Sequence, residues 1–460
     1  MKIVVLNGSP KGEASVTMQY VAFIQKKFHK HEFKVVSVVP RIRQIESDVQ
    51  TFNEIILEIK TADAILWAFP LYVCLVHSQY KRFIELISER TAEAAFQGKP
   101  AAILTTSIHF YDHTAHNYIH GICDDLNMKF YAAYSAGMDD LFKEQEREKL
   151  LQFTQRFFAA IERNAPVSKV YSPLILGTSE YIPGTDSVPI DTEGRKIVIV
   201  TDAETHEINL TRMIGKFANH FAGQVEVTNL HNVDIKGGCL GCIRCGYDNT
   251  CAYTGKDGFI DFYNSKVKTA DILVFAGAIH DRYLSSLWKT FFDRAFFNTH
   301  IPALTGKQLA FIISGPLRQL PNLRQILEGY AELQQTNLGE FVTDEEQTSD
   351  EIDHLLQELA RRSVEYSSHN YIKPVTFLGV GGTKIFRDGV WGHLRFPFVA
   401  DHEFYKSHGV YDFPQKDYRT RIRNVLFGLM IKIPAIRKKL YGGLLITKMI
   451  EPYQKLLNRL

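Results

Sequence analysis

The stretch Thr61-Ala62-Asp63-Ala64-Ile65-Leu66-Trp67-Ala68 is written again as Thr269-Ala270-Asp271-Ile272-Leu273-Val274-Phe275-Ala276, 208 positions later. Each copy is a short apolar run behind an Ala-Asp pair, the pattern of a strand buried on both faces. The offset holds downstream: Lys81 and Phe83 fall on Lys289 and Phe291, and Gly98-Lys99 falls on Gly306-Lys307, both before an apolar strand. Upstream, Lys2-Ile3-Val4-Val5-Leu6 matches Lys196-Ile197-Val198-Ile199-Val200 at 194 positions, so the second copy carries fourteen extra residues. The chain is a tandem duplication.

Each copy reads strand, helix, strand, helix, strand. In the first copy the strands fall at residues 3–6, 34–39 and 64–68 and the helices at 16–28 and 49–60. Buried strands alternating with amphipathic helices predict an α/β fold, with a doubly wound parallel sheet in each copy. Ligands of such sheets bind beyond the carboxyl ends of the strands, so the loops after the strands are where function is expected. The expected divisions are a first domain at 1–164, a Pro- and Gly-rich linker at 165–194, a second domain at 195–345 and an extension at 346–460.

The apolar share (45%) and charged share (23%) are those of a globular protein. No apolar run approaches the length that crosses a bilayer. The opening residues show no basic-then-apolar leader, so a cytoplasmic location with reduced thiols is expected. Net charge is +2, but residues 415–460 carry eleven Lys or Arg against Asp417 and Glu451. Such a tail can dock on an acidic body, an acidic partner or an anionic surface. Nucleic acid is not expected, because no zinc-finger spacing, RNA-binding aromatic signature or long basic arm accompanies the charge.

In the extension, Ile352, Leu355, Leu356 and Leu359 predict a helix, followed by a loop holding Gly379, Gly381, Gly382, His393 and His402. Ile422, Val425, Leu426, Leu429 and Ile433, then Met449, Ile450, Tyr453 and Leu457, recur at helical spacing. They predict two basic amphipathic helices, expected to pack on their own protein rather than on a membrane.

Four of the six cysteines, Cys239, Cys242, Cys245 and Cys251, lie within thirteen residues, where the repeat offset changes. Thiolates at two-residue spacing turn toward one centre, as in the bacterial ferredoxin run of a [4Fe-4S] cluster. The longer last spacer and Ala252 in place of proline depart from that run. Four cysteines also satisfy tetrahedral zinc, and redox-active or unligated thiols are the third reading.

The first strand runs into Asn7-Gly8-Ser9-Pro10-Lys11-Gly12-Glu13-Ala14-Ser15-Val16-Thr17, a turn rich in hydroxyls before a helix amino terminus, which favours an anion. It is neither a Walker A loop nor the dinucleotide fingerprint. The third strand ends in Phe69-Pro70-Leu71-Tyr72-Val73, and the fourth in Thr105-Thr106-Ser107-Ile108-His109, at the same sheet edge. An aromatic ligand tethered through a phosphate would span these loops.

These residues resemble the flavodoxin-like NAD(P)H-dependent FMN reductase family over residues 1 to about 150, and the second copy resembles its iron-sulfur flavoprotein branch. The resemblance implies two flavodoxin-like domains and FMN held by Ser9, Lys11, Ser15, Val16, Thr17, Pro70, Leu71, Tyr72, Val73, Thr106 and Ser107. It implies a cluster ligated by Cys239, Cys242, Cys245 and Cys251. It further implies an oxidoreductase taking hydride from NAD(P)H and passing electrons to an unidentified acceptor, with homodimers or an internal dimer formed around the flavin. Lys289-Thr290-Phe291-Phe292-Asp293-Arg294 also has that branch's look. Two departures stand in the second copy. Asp202 and Glu204 occupy its phosphate loop, and Gly277-Ala278-Ile279-His280 replaces the proline- and tyrosine-bearing turn. The second copy is therefore expected to have a poor or absent flavin site, leaving the flavin to the first. His109, Asp112 and His113 read as surface residues, and no catalytic acid or base is assigned. The rival reading is a zinc-stapled binding or regulatory protein without redox activity.

Overall fold

The computed structural model describes residues 1–177, 179–185, 189–346 and 348–460; positions 178 and 186–188 of the expected linker and 347 of the expected extension lie outside them. The chain divides into two compact units, Met1–Glu403 and Phe404–Leu460. The first half of the larger unit runs β1 (Lys2–Asn7), α1 (Val16–Lys27), β2 (Glu32–Ser37), α2 (Ile42–Ser47), α3 (Val49–Thr61), β3 (Ala64–Pro70), α4 (Ser78–Glu89), β4 (Pro100–Ser107), α5 (Asp112–Asp125), β5 (Lys129–Gly137) and α6 (Glu144–Glu162). The second half runs β6 (Ile197–Thr201), α7 (Ile208–Asn219), β7 (Val225–Asn229), α8 (Cys245–Asp248), α9 (Phe259–Phe262), β8 (Ile272–Ala278), α10 (Ser286–Ala295), β9 (Gln308–Ser314), α11 (Pro321–Leu333), β10 (Asn337–Thr343) and α12 (Ser349–Ser368).

Both sheets are wholly parallel, with strand orders β2-β1-β3-β4-β5 and β7-β6-β8-β9-β10. This is the flavodoxin-like order, in which the chain reverses direction across the sheet between its first and third strands. Ile3 pairs with Phe33 and Ala64, and Ile197 with Val225 and Ile272, so the repeat read in the sequence is a repeat in register.

Alternating side chains of a strand enter opposite faces of its sheet. Val4 and Leu6 of β1 join one continuous core with Val198 and Val200 of β6. Ile3 and Val5 enter a second core, and Ile197 and Ile199 a third. One face of each sheet thus looks toward the other half, and the halves form an internal pair.

The seam of that pair is α4 against α10. Lys81 and Glu85 in α4 stand at the positions of Lys289 and Asp293 in α10, each a helical i, i+4 ion pair. Each acid also reaches across: Asp293 Oδ2 accepts from the Ser78 amide at 2.8 Å, and Glu85 Oε1 accepts from the Ser286 amide at 2.6 Å. Each helix therefore has its amino terminus met by the carboxylate of the other, where the helix dipole favours negative charge. Lys81 also donates to Asp281 and Lys289 to the Tyr72 carbonyl. Burial raises the Glu85 carboxyl, but Lys81 and the Ser286 amide outweigh it and bring it down to about 2.

Among its described residues the segment expected as a linker has neither helix nor strand, yet these parts are tied down. The Val170 and Tyr171 amides both donate to Asp124 Oδ2 at 2.9 Å, the Tyr181 hydroxyl is bonded to Asp353, and Ile190 bridges to Phe221.

The extension corrects two expectations. The glycine-rich stretch expected as a loop is helix α13 (Phe377–Trp391), and His402 lies in α14 (Val399–Ser407). The glycines there serve packing: a Cβ on Gly382 would overlap Phe110 and Leu333, and the Gly379 amide donates to a Glu332 carboxylate at 2.7 Å. Tertiary contact overrides weak helix propensity at these positions. In the smaller unit there are three helices, α15 (Tyr418–Met430), α16 (Pro434–Lys439) and α17 (Leu445–Leu457), where two were expected. Pro434 starts α16, and the Gly442-Gly443 bend precedes α17. None of these helices has a buried residue.

Glu85→Gln leaves Lys81 buried with half its compensation and is expected to cost about 3–5 kcal/mol in urea unfolding at pH 7. Because folding depresses this carboxyl from 4.5 to about 2, its contribution is present above pH 4.5 and lost as pH falls toward 2. The difference between the variant and the parent should narrow over that window.

Candidate active site

At the end of β1, Asn7 turns its carboxamide into the following loop, where Oδ1 accepts from the Ser9 amide at 3.0 Å. Ser9 Oγ accepts from the Lys11 amide at 3.2 Å, and Ser15 caps α1 by accepting from the Met18 amide. The loop is a cup of hydroxyls closed by a helix amino terminus, whose first-turn amides point outward.

Beyond β3, Tyr72 and Leu75 exchange two backbone bonds of 2.9 Å, forcing Val73 and Cys74 to φ of 34° and 64°. A β-branched residue at positive φ is strained, and such strain gathers at ligand-contacting turns. A cavity of about 360 Å³ lies between this turn and the cup. Ser9, Lys11, Ser15 and Val16 line one part, Pro70, Leu71, Tyr72 and Val73 another, and Thr106 and Ser107 a third. The structure thus gathers ten of the eleven expected flavin contacts around one space. Thr17 stands apart from that lining: its buried hydroxyl bonds that of Thr106 at 2.7 Å and ties α1 to β4. A smaller cavity of about 210 Å³ lies around Gln308 and Asn337, at the amino ends of β9 and β10 and away from these loops.

The four-cysteine loop belongs to the second half but lines the same cavity, through Cys239, Cys242, Cys245 and Cys251. Its docking explains the Lys-x-x-x-Asp-Arg run. Lys289 and Asp293 serve the seam, while Arg294 donates to the Gly237 carbonyl at 2.9 Å and makes a bidentate pair with Asp257. The loop is also held by His77, whose Nε2 lies 2.7 Å from the Cys239 carbonyl oxygen. Gly241 has φ of 61°, and a Cβ there would overlap the Tyr72 hydroxyl. The cysteine loop therefore rests on the very turn expected to face the flavin. Burial pushes the Cys239 and Cys245 thiols up to about 12, so both are neutral as placed. Among the described residues no three His, Cys, Asp or Glu side chains are gathered as a ligand set for a metal ion. As placed, the four cysteines do not fit a closed metal site.

The corresponding loops of the second half are occupied by its own acids. Burial raises the Asp202 carboxyl to about 6, and it accepts from the Ser285 hydroxyl. Glu207 accepts from the Glu204 amide at 2.8 Å and lies 3.4 Å from His280. Asp344 accepts from the Ser314 hydroxyl and the Gly315 amide at 2.6 and 2.7 Å. Donors that could meet a phosphate or a flavin ring are bonded to carboxylates instead.

Two groups went unforeseen. Phe386, Leu394 and Phe398 of the extension line the cavity beside His300. His300 Nδ1 lies 2.5 Å from Asp401 Oδ2, and the Asp401 carboxylate also meets the Thr299 hydroxyl and is fully buried. No spacing in the sequence links residues a hundred positions apart. The histidine that sequence singled out, His109, is exposed, with Nδ1 3.0 Å from Asp112, and is absent from the cavity lining.

Comparison with known proteins adds the family. The model of the NADPH-dependent FMN reductases matches residues 1–136 and again residues 198–348, together well over half of the chain. No curated protein sequence matches. Among solved structures, the flavoenzyme NAD(P)H:(acceptor) oxidoreductase FerB from Paracoccus denitrificans is similar at 19% identity, covering 35% of this chain and 97% of that one, with a TM-score of 0.30. The apo form of the NADH:FMN oxidoreductase EMOB is similar at 15% identity over 35% of this chain and 89% of that one, with a TM-score of 0.30. An FMN-dependent NADH-azoreductase from Bacillus anthracis, in complex with FMN, shows 14% identity over 36% of this chain and 100% of that one, with a TM-score of 0.26.

Gly241→Ala is expected to cost about 1–3 kcal/mol and lower the thermal midpoint, through backbone strain and overlap with Tyr72. Adding Tyr72→Phe should recover the overlap but not the strain, and calorimetry of both variants separates the two.

Proposed function

Because the chain belongs to the NADPH-dependent FMN reductase family, we propose that its first half holds one FMN and oxidises a reduced nicotinamide nucleotide, while its second half holds none. The observation that carries this reading is the contrast between the halves. The loops after β1, β3 and β4 border a cavity with hydroxyl donors, whereas their counterparts after β6 and β9 are bonded to Glu207 and Asp344.

The donor set fits the group. The Ser9 and Ser15 hydroxyls, the first-turn amides of α1 and the Lys11 ammonium would meet a phosphate. Pro70, Leu71, Tyr72 and Val73 would border the ring system. Bound FMN supplies hydride acceptance and the return of electrons singly or in pairs. The chain's own part is to position and to exclude water, which Phe386, Leu394 and Phe398 do from the extension's side of the cavity. Asp401 holds His300 through Nδ1 and so fixes the orientation of the imidazole at the cavity wall.

Cys239, Cys242, Cys245 and Cys251 are the residues that would hold an iron-sulfur cluster or zinc. As placed, their thiols do not close a ligand set.

Extraction of protein purified without oxygen should yield one FMN per chain, and the preparation should oxidise NADPH or NADH with a quinone, nitro compound or free flavin as acceptor. Ser15→Glu should lower FMN content at least about tenfold by opposing the phosphate at the helix terminus. A colourless protein that does not take up FMN overturns the reading in favour of a binding role, and two FMN per chain overturns the assignment of halves. Iron, sulfide and zinc assays on the same sample decide the cysteine site separately.

A further inference from the structure

From the smaller unit we infer a site of another kind: helices α15 and α17 bind the surface of an anionic lipid bilayer. In α15, Tyr418, Ile422, Val425, Leu426 and Leu429 follow one another at helical spacing along one face, and each is more than half exposed. Arg419 and Arg421 border that face on either side when placed at 100° per residue. Long basic side chains at such a boundary lay their stems on apolar surface and carry their charge to the phosphate level. In α17, Leu445, Met449, Tyr453 and Leu456 share a face and are also exposed, while Lys448 and Lys455 lie together on one flank of it.

Charge decides among occupants. Residues 415–460 hold eleven Lys or Arg, and of their two acids Glu451 is paired at 2.7 Å with both Lys448 and Lys455. Two such tails repel one another, so a second copy meeting tail to tail is disfavoured. A nucleic acid would use the charge but leave the exposed apolar faces in water. An anionic bilayer satisfies both, since apolar side chains enter the acyl boundary while the cations meet the headgroups. No helix among the described residues is long and apolar enough to cross a membrane, so the helices lie along the surface.

The test uses the full chain and vesicles of phosphatidylcholine with or without phosphatidylglycerol. Sedimentation with the anionic vesicles is expected at about 0.1 M salt, with release by about 1 M salt as ~3 Å screening replaces ~10 Å. Arg419→Glu with Arg421→Glu should weaken binding by at least about tenfold, at roughly fivefold per charge removed. Leu426→Ser with Met449→Ser should also release the protein while leaving all charges in place. These four residues lie outside the cavity lining, so FMN content and nicotinamide oxidation should be unchanged in both variants, which separates this inference from the proposed function. Equal binding to neutral vesicles, or none to anionic ones, overturns it. So does wild-type vesicle binding by the serine variant, capture of single-stranded RNA undiminished by the serine substitutions, or a vesicle-free dimer that they dissolve.

Discussion

The exchange of carboxylates between α4 and α10 is the constraint on which the rest of the larger unit depends. Two buried lysines each need a partner, and two helix amino termini each need an acceptor; Glu85 and Asp293 satisfy all four demands only when the halves face each other in one register. Apolar burial brings the sheets together but tolerates sliding, whereas buried charges left unpaired would cost several kcal/mol each. The seam thereby fixes where the cysteine loop lands. Arg294, the residue after Asp293, grips the loop's start, and the loop comes to rest on Tyr72 in the other half.

The duplication has not kept the two halves alike. The same sheet edge that in the first half ends in serine and threonine hydroxyls ends in the second half in acids that bond its own backbone amides. A carboxylate in that position does for the fold what a bound phosphate would do, since it satisfies amides at the strand ends. The second half is then free to serve the first, contributing the cysteine loop, Tyr330 and His300 to the cavity's lining.

The extension completes this arrangement. Helix α13 approaches Phe110 and Glu332 closely because glycines at positions 379 and 382 remove the side chains that would hold it off. That approach brings Phe386 to the cavity, where its ring lies 4.1 Å from that of His300, while Asp401 holds the imidazole from behind. The part of the chain outside the family match thus furnishes a wall and a polar anchor.

The alternation of strands and helices, the duplication and the loops after β1, β3 and β4 were legible in the sequence, because strand burial and turn chemistry are local and the offset between copies is a matter of counting. The expected strands at 3–6 and 64–68 lie within β1 and β3, and ten of the eleven residues expected to meet a flavin line one cavity. What the sequence could not determine were relations with no local signature. The glycines of α13 read as a loop because propensity says so, and only the neighbours at Phe110 and Glu332 reverse it. Thr17, expected at the phosphate, has its hydroxyl bonded to that of Thr106, and His300, which no motif marks, is held by Asp401 from a hundred residues away. Tertiary structure decided these because a side chain's chemistry depends on which groups remain to satisfy it once the halves have closed.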